Sequence, residues 1–314
     1  MAKPRIAISI GDLNGIGIEI ALKAHNDIKK LCTPIYCIGE KMLTQATSLL
    51  GVSIPNDFRL HEIDGEFVIK IGEVTKESGE YSYHSFLSAI ELAKAKECDA
   101  ITTLPIHKEA WEKAGVSYKG HTDMLRDIFK KEAIMMLGCE AMYVALYTEH
   151  IPLSEVAKRV KKAPLERFLL DFYKSTNAQK VAVLGLNPHA GDNGVLGDEE
   201  REIEAAIESA NKLIGKRVYN GAFVPDIAFT PHMRKQYNYY IAMYHDQGLI
   251  PLKALYFDES VNISLNLPII RTSVDHGTAF DIAYEGKAKT LSYINAIKSA
   301  IKLSITPPTK YLNI

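Results

Sequence analysis

Three histidines stand where chemistry is expected. His150 follows an apolar run and precedes Pro152, His189 lies in a polar, glycine-rich loop, and His245 precedes Asp246-Gln247-Gly248. Neutral imidazole is the commonest metal ligand, and three protein ligands with one open position is the usual catalytic arrangement. A histidine taken singly is more often a surface or hydrogen-bonded structural residue, and spacing alone does not bring three loops to one point. A second set, Lys253, Asn262 and Arg271 with His121 and Thr122 upstream, offers the point charge and the planar fork that anions need. Asn262 sits in an otherwise apolar run and would need a partner there. For Lys253 alone, a solvated face is the better reading of the charge.

Two glycine-containing turns complete the inventory. Gly11-Asp-Leu-Asn-Gly15-Ile-Gly17 follows a predicted strand and opens a helix, so its amides suit an anion. Its glycine spacing is not that of the dinucleotide fingerprint, and a plain tight turn is an equal reading. Ser273 to Ala283 reads as a turn entering a helix, with Asp275 or Thr278 able to cap it.

These residues need a scaffold, and the rest of the chain supplies one. Short β-branched runs are predicted as strands at Arg5–Ile10, Pro34–Ile38, Asp99–Thr103, Ala141–Thr148, Lys180–Leu184, Asp226–Thr230, Tyr240–Tyr244 and Ile269–Ser273. Helices are predicted at Gly15–Lys23, from about Glu40 to Leu50, and at Ile294–Leu303. Another spans Tyr83–Lys96, where Phe86, Leu87, Ile90 and Ala93 share one face. Alternating strands and helices argue for an α/β fold with largely parallel sheets. The stretch from Val52 to Gly79 resists assignment, and Pro307-Pro308 reads as a frayed end. Gly11-Asp12, Pro105–Lys108, Glu149-His150, Asn187–His189 and His245-Asp246 each follow a strand directly. In open α/β sheets the ligand crevice lies outside the carboxyl ends of the strands, so this recurrence points to a shared crevice.

Composition sets outer limits. With 314 residues, 47% hydrophobic and 24% charged, the chain is that of an ordinary globular protein large enough for two lobes. A formal net charge of -1 gives no reason to expect nucleic acid or an anionic membrane as partner. The first apolar stretch is too short for a signal peptide, and no run approaches a membrane span. Cys32, Cys37, Cys98 and Cys139 have no metal-finger spacing and read as reduced, mostly buried thiols of a cytoplasmic protein.

Several long motifs together resemble the 4-hydroxythreonine-4-phosphate dehydrogenase family. They are Gly-Leu-Asn-Pro-His-Ala-Gly-Asp from Gly185, Ala-Met-Tyr-His-Asp-Gln-Gly from Ala242, and Pro-Ile-Ile-Arg-Thr-Ser-Val-Asp-His-Gly-Thr-Ala from Pro268. Gly-His-Thr-Asp at 120–123, Pro-Ile-His-Lys at 105–108 and Met-Met-Leu at 135–137 agree in order and approximate spacing. The resemblance runs from Ile6 to about Ile301. The His-Gly-Thr-Ala-Phe-Asp-Ile-Ala segment is also similar to a loop of isocitrate and isopropylmalate dehydrogenases that receives the adenosine end of NAD.

The resemblance implies two α/β/α lobes, isocitrate/isopropylmalate dehydrogenase-like, with a cleft between them. Residues 1–125 plus 265–314 form the cofactor-side lobe, and 126–264 the metal-binding and dimerisation lobe. It implies a homodimer with shared active sites, in which His245 completes the partner's metal site. One divalent metal ion (zinc, magnesium or cobalt) falls on His150, His189 and His245. Substrate contacts fall on His121, Thr122, Lys253, Asn262 and Arg271. Asp275, His276, Gly277, Thr278 and Asp281 fall on the NAD or NADP turn. Asp226 and Asp246 match aspartates that maintain the site, and these two and Lys108 are the candidates for the base. The implied reaction is oxidation of 4-phosphooxy-L-threonine at C3, followed by decarboxylation. A dehydrogenase of threonate or erythronate 4-phosphate is the near alternative. A metal-dependent hydrolase or lyase without nucleotide is the distant one, and it gives no reason for an adenosine-binding turn. Departures from the family pattern lie in the first loop, at Leu104, and across 52–79, and none touches a candidate ligand.

Overall fold

The computed structural model describes residues 3–305. Its strands, in chain order, are β1 (Arg5–Ser9), β2 (Thr33–Cys37), β3 (Leu60–His61), β4 (Ala100–Thr103), β5 (Ile134–Cys139) and β6 (Met142–Leu146). They continue with β7 (Val181–Leu184), β8 (Tyr219–Phe223), β9 (Tyr239–Ala242), β10 (Val261–Leu265) and β11 (Arg271–Val274). Helices separate most of them, so the mixed α/β class expected from the sequence is the class observed. The Pro307-Pro308 tail lies outside the described residues.

The chain divides into two compact units. The first comprises residues up to Lys131, with Val261–Ile263 and Leu267–Ile305; the second comprises Glu132–Ser260 and Ser264–Asn266, so β10 is split between them. In the first unit the strands run in the order β3-β2-β1-β4-β11. All the pairings among these five are parallel, and Ser9, Thr103 and Ser273 share one row near the carboxyl ends. Ile6, Ala7, Ile8 and Ser9 are all buried, the mark of a strand covered on both faces. In the second unit the order is β5-β6-β9-β7-β8. The β5–β6 pair is antiparallel, while β6, β9, β7 and β8 are mutually parallel.

Most predicted elements lie within a few residues of their observed positions. The predicted strand Asp226–Thr230 does not form: that segment is a turn, and the strand is Tyr219–Phe223. Pro225 carries no N–H for a ladder and directly precedes the predicted strand. The helix expected from Tyr83 begins at Lys76, where the Thr75 hydroxyl caps it by accepting from the Ser78 amide. Gly79 therefore lies inside a helix. A Cβ there would stand 2.0 Å from the Ala110 carbonyl oxygen, so two backbones cross at that point. The unassigned stretch from Val52 contains only the two-residue β3 before that helix. Asn14 ties it down: its amide donates to the Glu73 carbonyl, and its carbonyl accepts from the Lys70 amide.

Candidate active site

In the first unit the loops at the carboxyl ends of β1, β4 and β11 meet. The Asp12 amide donates to the Pro105 carbonyl (2.8 Å), and the Ile16 amide donates to the Thr278 carbonyl (3.0 Å). The glycines of the first loop serve this contact: a Cβ on Gly11 would lie 2.2 Å from the Pro105 oxygen. His107 stacks on Phe280, with ring centroids 5.0 Å apart and planes at 14°. The Asp12 carboxylate is fully buried, accepting from the Asn14 amide and the Ser78 hydroxyl. Burial raises its pKa, against the lowering effects of those two bonds and of His107.

Arg271 and His121 form the anion-binding candidate in this unit. Arg271 is 2% exposed and donates from Nε (3.2 Å) and Nη2 (2.8 Å) to the Thr103 hydroxyl. Burial lowers its pKa to about 9, which leaves a cation at neutral pH. His121 packs edge-on against Phe86 and Trp111, with centroids at 4.5 and 5.6 Å. Burial, and then the charge of Arg271, hold its pKa well below the usual value, so the ring is neutral. Its Nε2 is buried with no hydrogen-bond partner among the described residues. A buried polar atom in that state is costly unless a ligand meets it. Thr122 is buried beside it in the first turn of the helix His121–Phe129. Asn262, on β10, also has a buried Oδ1 with no partner among the described residues.

The turn assigned by resemblance to the cofactor is well ordered by its neighbours. The Asp275 amide donates to the Ser292 hydroxyl, and Thr278 is buried. His276 Nε2 and His107 Nδ1 are both buried with no partner among the described residues. Gly277 and Asp281 are exposed, as is Lys108 at the start of the helix Lys108–Lys113.

The three histidines all lie in the second unit, on loops at the carboxyl ends of neighbouring strands: His150 after β6, His245 after β9 and His189 after β7. The His150 and His245 ring centroids are 5.4 Å apart. Two imidazoles on one tetrahedral ion need roughly 5 Å between centroids, given nitrogen-to-metal bonds of about 2.0–2.1 Å. His245 Nδ1 is 2.6 Å from Asp246 Oδ1, a contact that fixes the tautomer and leaves Nε2 as the outward lone pair. Two imidazoles side by side are two of the three ligands a catalytic ion usually takes, and imidazole donors suit zinc or another late transition metal. His189 is exposed, and among the described residues no three His, Cys, Asp or Glu side chains are grouped closely enough to hold a metal. Lys253 sits on the helix His245–Tyr256 with its ammonium 5.8 Å from the Phe257 ring centroid. Asp226 is exposed in the turn after β8.

Residues 30–300 match the sequence model of a family described as pyridoxal phosphate biosynthetic protein PdxA. The chain belongs to this family. It is 65% identical over 303 residues to a 4-hydroxythreonine-4-phosphate dehydrogenase of Sulfurimonas denitrificans, covering 96% of this chain and 99% of that one. A protein of the same name from Campylobacter fetus is 56% identical, with 96% and 99% covered. Among solved structures, a 4-hydroxythreonine-4-phosphate dehydrogenase from Klebsiella pneumoniae superimposes with a TM-score of 0.80 at 32% identity, covering 96% of this chain and all of that one. A terephthalate dihydrodiol dehydrogenase from Burkholderia xenovorans shares the fold, with a TM-score of 0.67 at 23% identity over 95% of this chain and 98% of that one. The family resemblance drawn from the motifs is thus the family found.

Sequence reasoning passed over several residues of these loops. Asp12 and His107 lay inside recognised motifs but received no role.

Proposed function

We propose that the chain oxidises 4-phosphooxy-L-threonine at C3 with NAD or NADP. The product, 2-amino-3-oxo-4-phosphooxybutanoate, loses CO2 to give 3-amino-2-oxopropyl phosphate, a step of pyridoxal 5'-phosphate synthesis. The chain is an enzyme, a 4-hydroxythreonine-4-phosphate dehydrogenase. The observation that carries this is the near end-to-end match to relatives bearing that name.

The side chains suit each task. Arg271 offers a buried, planar cation to an anionic group of the substrate, and neutral His121 offers an uncharged nitrogen beside it. Thr122, Lys253 and Asn262 complete the proposed substrate contacts. His150, His189 and His245 would hold a zinc, cobalt or magnesium ion. When bound, such an ion supplies Lewis acidity toward the C3 hydroxyl. Asp246 keeps His245 in the ligating tautomer, which leaves Asp226 or Lys108 for the proton of that hydroxyl. The turn Asp275–Asp281 would receive the adenosine end of the nicotinamide cofactor, which carries the redox chemistry. In this reading the first unit is the cofactor side and the second the metal-binding side.

We also propose a homodimer with shared active sites. The helix His245–Tyr256 and the residue after it leave Ile250 66% and Phe257 61% exposed, apolar surface of the kind an interface covers. Among the described residues no helix is long and apolar enough to cross a membrane. The proposed location is the cytoplasm, where biosynthetic enzymes of small phosphorylated metabolites work.

The test is formation of reduced nicotinamide with 4-phosphooxy-L-threonine, threonate 4-phosphate and erythronate 4-phosphate, with zinc, cobalt or magnesium present. Turnover of the first in clear excess supports the reading. Preference for a sugar-acid phosphate moves the substrate assignment, and release of phosphate without reduced cofactor overturns the dehydrogenase.

A further inference from the structure

In the first unit the turn after β11 is fastened to the loop after β1 and to the helix that follows it, Gly17–Leu31. The Ile16 amide donates to the Thr278 carbonyl, and the Tyr284 hydroxyl donates to the Leu13 carbonyl at 2.7 Å. The Glu19 carboxylate, 2% exposed, accepts from the amides of Gly286 (3.3 Å) and Ala288 (2.8 Å). Lys23 donates to the carbonyls of the same two residues, at 2.8 and 2.9 Å. Gly15 is packed hard against the turn: a Cβ there would lie 2.9 Å from Thr278 Cβ and 3.2 Å from the Phe280 ring. The loop after β4 joins this assembly through His107, whose ring stacks on Phe280.

Seated there, His107 carries a polar atom that the protein leaves unmet. Its Nδ1 is buried with no hydrogen-bond partner among the described residues. Asp12, in the neighbouring loop, does not supply one, because its carboxylate accepts from the Asn14 amide and the Ser78 hydroxyl. Packing alone does not ask for an imidazole: phenylalanine would give the same kind of ring contact and leave no nitrogen without a partner. His276, on the turn itself, has the same feature. Its Nδ1 faces the Gly277 carbonyl at 3.0 Å and so is the donor, which leaves Nε2 a bare acceptor in the neutral ring. That Nε2 is also buried with no partner among the described residues. Buried polar atoms nearly always have partners, so two orphaned imidazole nitrogens in one fastened assembly point to a ligand that completes them. They suit a dinucleotide, which is rich in hydrogen-bonding groups.

We infer that His107 is a cofactor-binding residue: its ring, seated on Phe280, offers Nδ1 to a hydrogen-bonding group of the nicotinamide dinucleotide. This rests on the proposed reading that the turn Asp275–Asp281 receives that cofactor. The orphaned nitrogen costs stability in the cofactor-free chain and is satisfied only on binding. Affinity and stability therefore pull in opposite directions at this position, as they do where a site is built for a ligand and not for the fold.

The test uses the full chain, fluorescence titration with NADH and with NADPH, and the thermal midpoint measured without cofactor. His107→Phe keeps the ring contact with Phe280 and removes the nitrogen. Its thermal midpoint should equal or exceed that of the wild type, while its affinity for the preferred cofactor falls by about tenfold. His107→Asn does the converse: it loses the ring but keeps a hydrogen-bonding atom one bond beyond Cγ, where Nδ1 stands. It should be less stable than His107→Phe and yet bind the cofactor more tightly. Affinity and stability that rank the two variants in the same order would show a structural histidine and overturn the inference. So would equal affinity in His107→Phe and wild type. If the wild-type chain binds neither NADH nor NADPH, the dehydrogenase reading falls and the inference with it. If the wild type binds and His276→Phe weakens binding while His107→Phe does not, the inference alone falls.

Discussion

Replacing Arg271 by lysine separates substrate binding from everything else in the site. The guanidinium is 2% exposed and spends Nε and Nη2 on the Thr103 hydroxyl, at 3.2 and 2.8 Å. Lysine keeps the charge but offers a single ammonium on a flexible stem, so it cannot hold Thr103 and an anion in one plane. Losing one charge-assisted hydrogen bond costs about 1.5–3 kcal/mol. At about 1.4 kcal/mol per factor of ten, the Michaelis constant for the phosphorylated substrate should rise roughly ten- to hundredfold. Turnover should fall much less, because the contact is with a part of the substrate that does not react. His121 stays neutral, since its burial and the neighbouring positive charge both persist. Thr103→Val removes the hydroxyl that seats the fork while leaving the cation, and should raise the Michaelis constant by less than Arg271→Lys does. Steady-state kinetics at saturating cofactor measures these effects, and fluorescence titration of reduced nicotinamide measures cofactor binding, which should not change. If Arg271→Lys abolished cofactor binding and left the substrate constant alone, the assignment of the two pockets would be wrong.

The other predictions concern the metal, the assembly and pH. His189→Ala should lower turnover severely and weaken zinc binding, because Lewis-acid help is needed chiefly as the alkoxide forms; normal turnover in the variant would remove His189 from the site. If the proposed sharing of active sites holds and His245 completes the partner's site, mixing inactive His150→Ala and His245→Ala chains should restore part of the activity through mixed dimers with one intact site. No recovery, despite proven subunit exchange, would count against a shared site. Asp12 has its carboxyl pKa raised by burial, so the stability it contributes is fully present below the unfolded value of about 3.9 and is lost as pH rises through the folded value. Asp12→Asn keeps an acceptor for the Asn14 amide and a partner for Ser78, so its thermal midpoint should match the parent's near pH 4 and exceed it toward neutrality. A variant less stable than the parent at neutral pH would show that the ionised carboxylate is needed for the loop.

How much was legible beforehand differs between levels of structure. Runs such as Ile6-Ala-Ile-Ser and Val181-Ala-Val-Leu are continuous, β-branched and short, so they announce buried parallel strands without reference to anything distant. The failed strand at Asp226–Thr230 came from reading an apolar triplet without weighing the preceding proline. The helix Lys76–Lys94 starts inside the stretch left unassigned, because the role of Gly79 is the close crossing at Ala110 and not an end of the helix. The chemistry-bearing loops were found because each immediately follows a strand, and the family because its motifs are long.

The sequence by itself determined the α/β class, the strand ends that carry chemistry, and the identities of the histidines, Arg271 and their relatives. Those follow from local periodicity and from motifs, both of which are properties of neighbouring residues. Only the tertiary structure decided which of them meet. Gln247 reaches Gly185 across 62 positions, Arg271 reaches Thr103 across 168, and the Thr148 hydroxyl reaches Met243 across 95. The order β6-β9-β7 brings three loops to one edge, although sequence order interleaves them with helices. A hydrogen bond needs its partners within about 3 Å and aligned. That condition is set by strand order and register, and no local pattern in the chain encodes it.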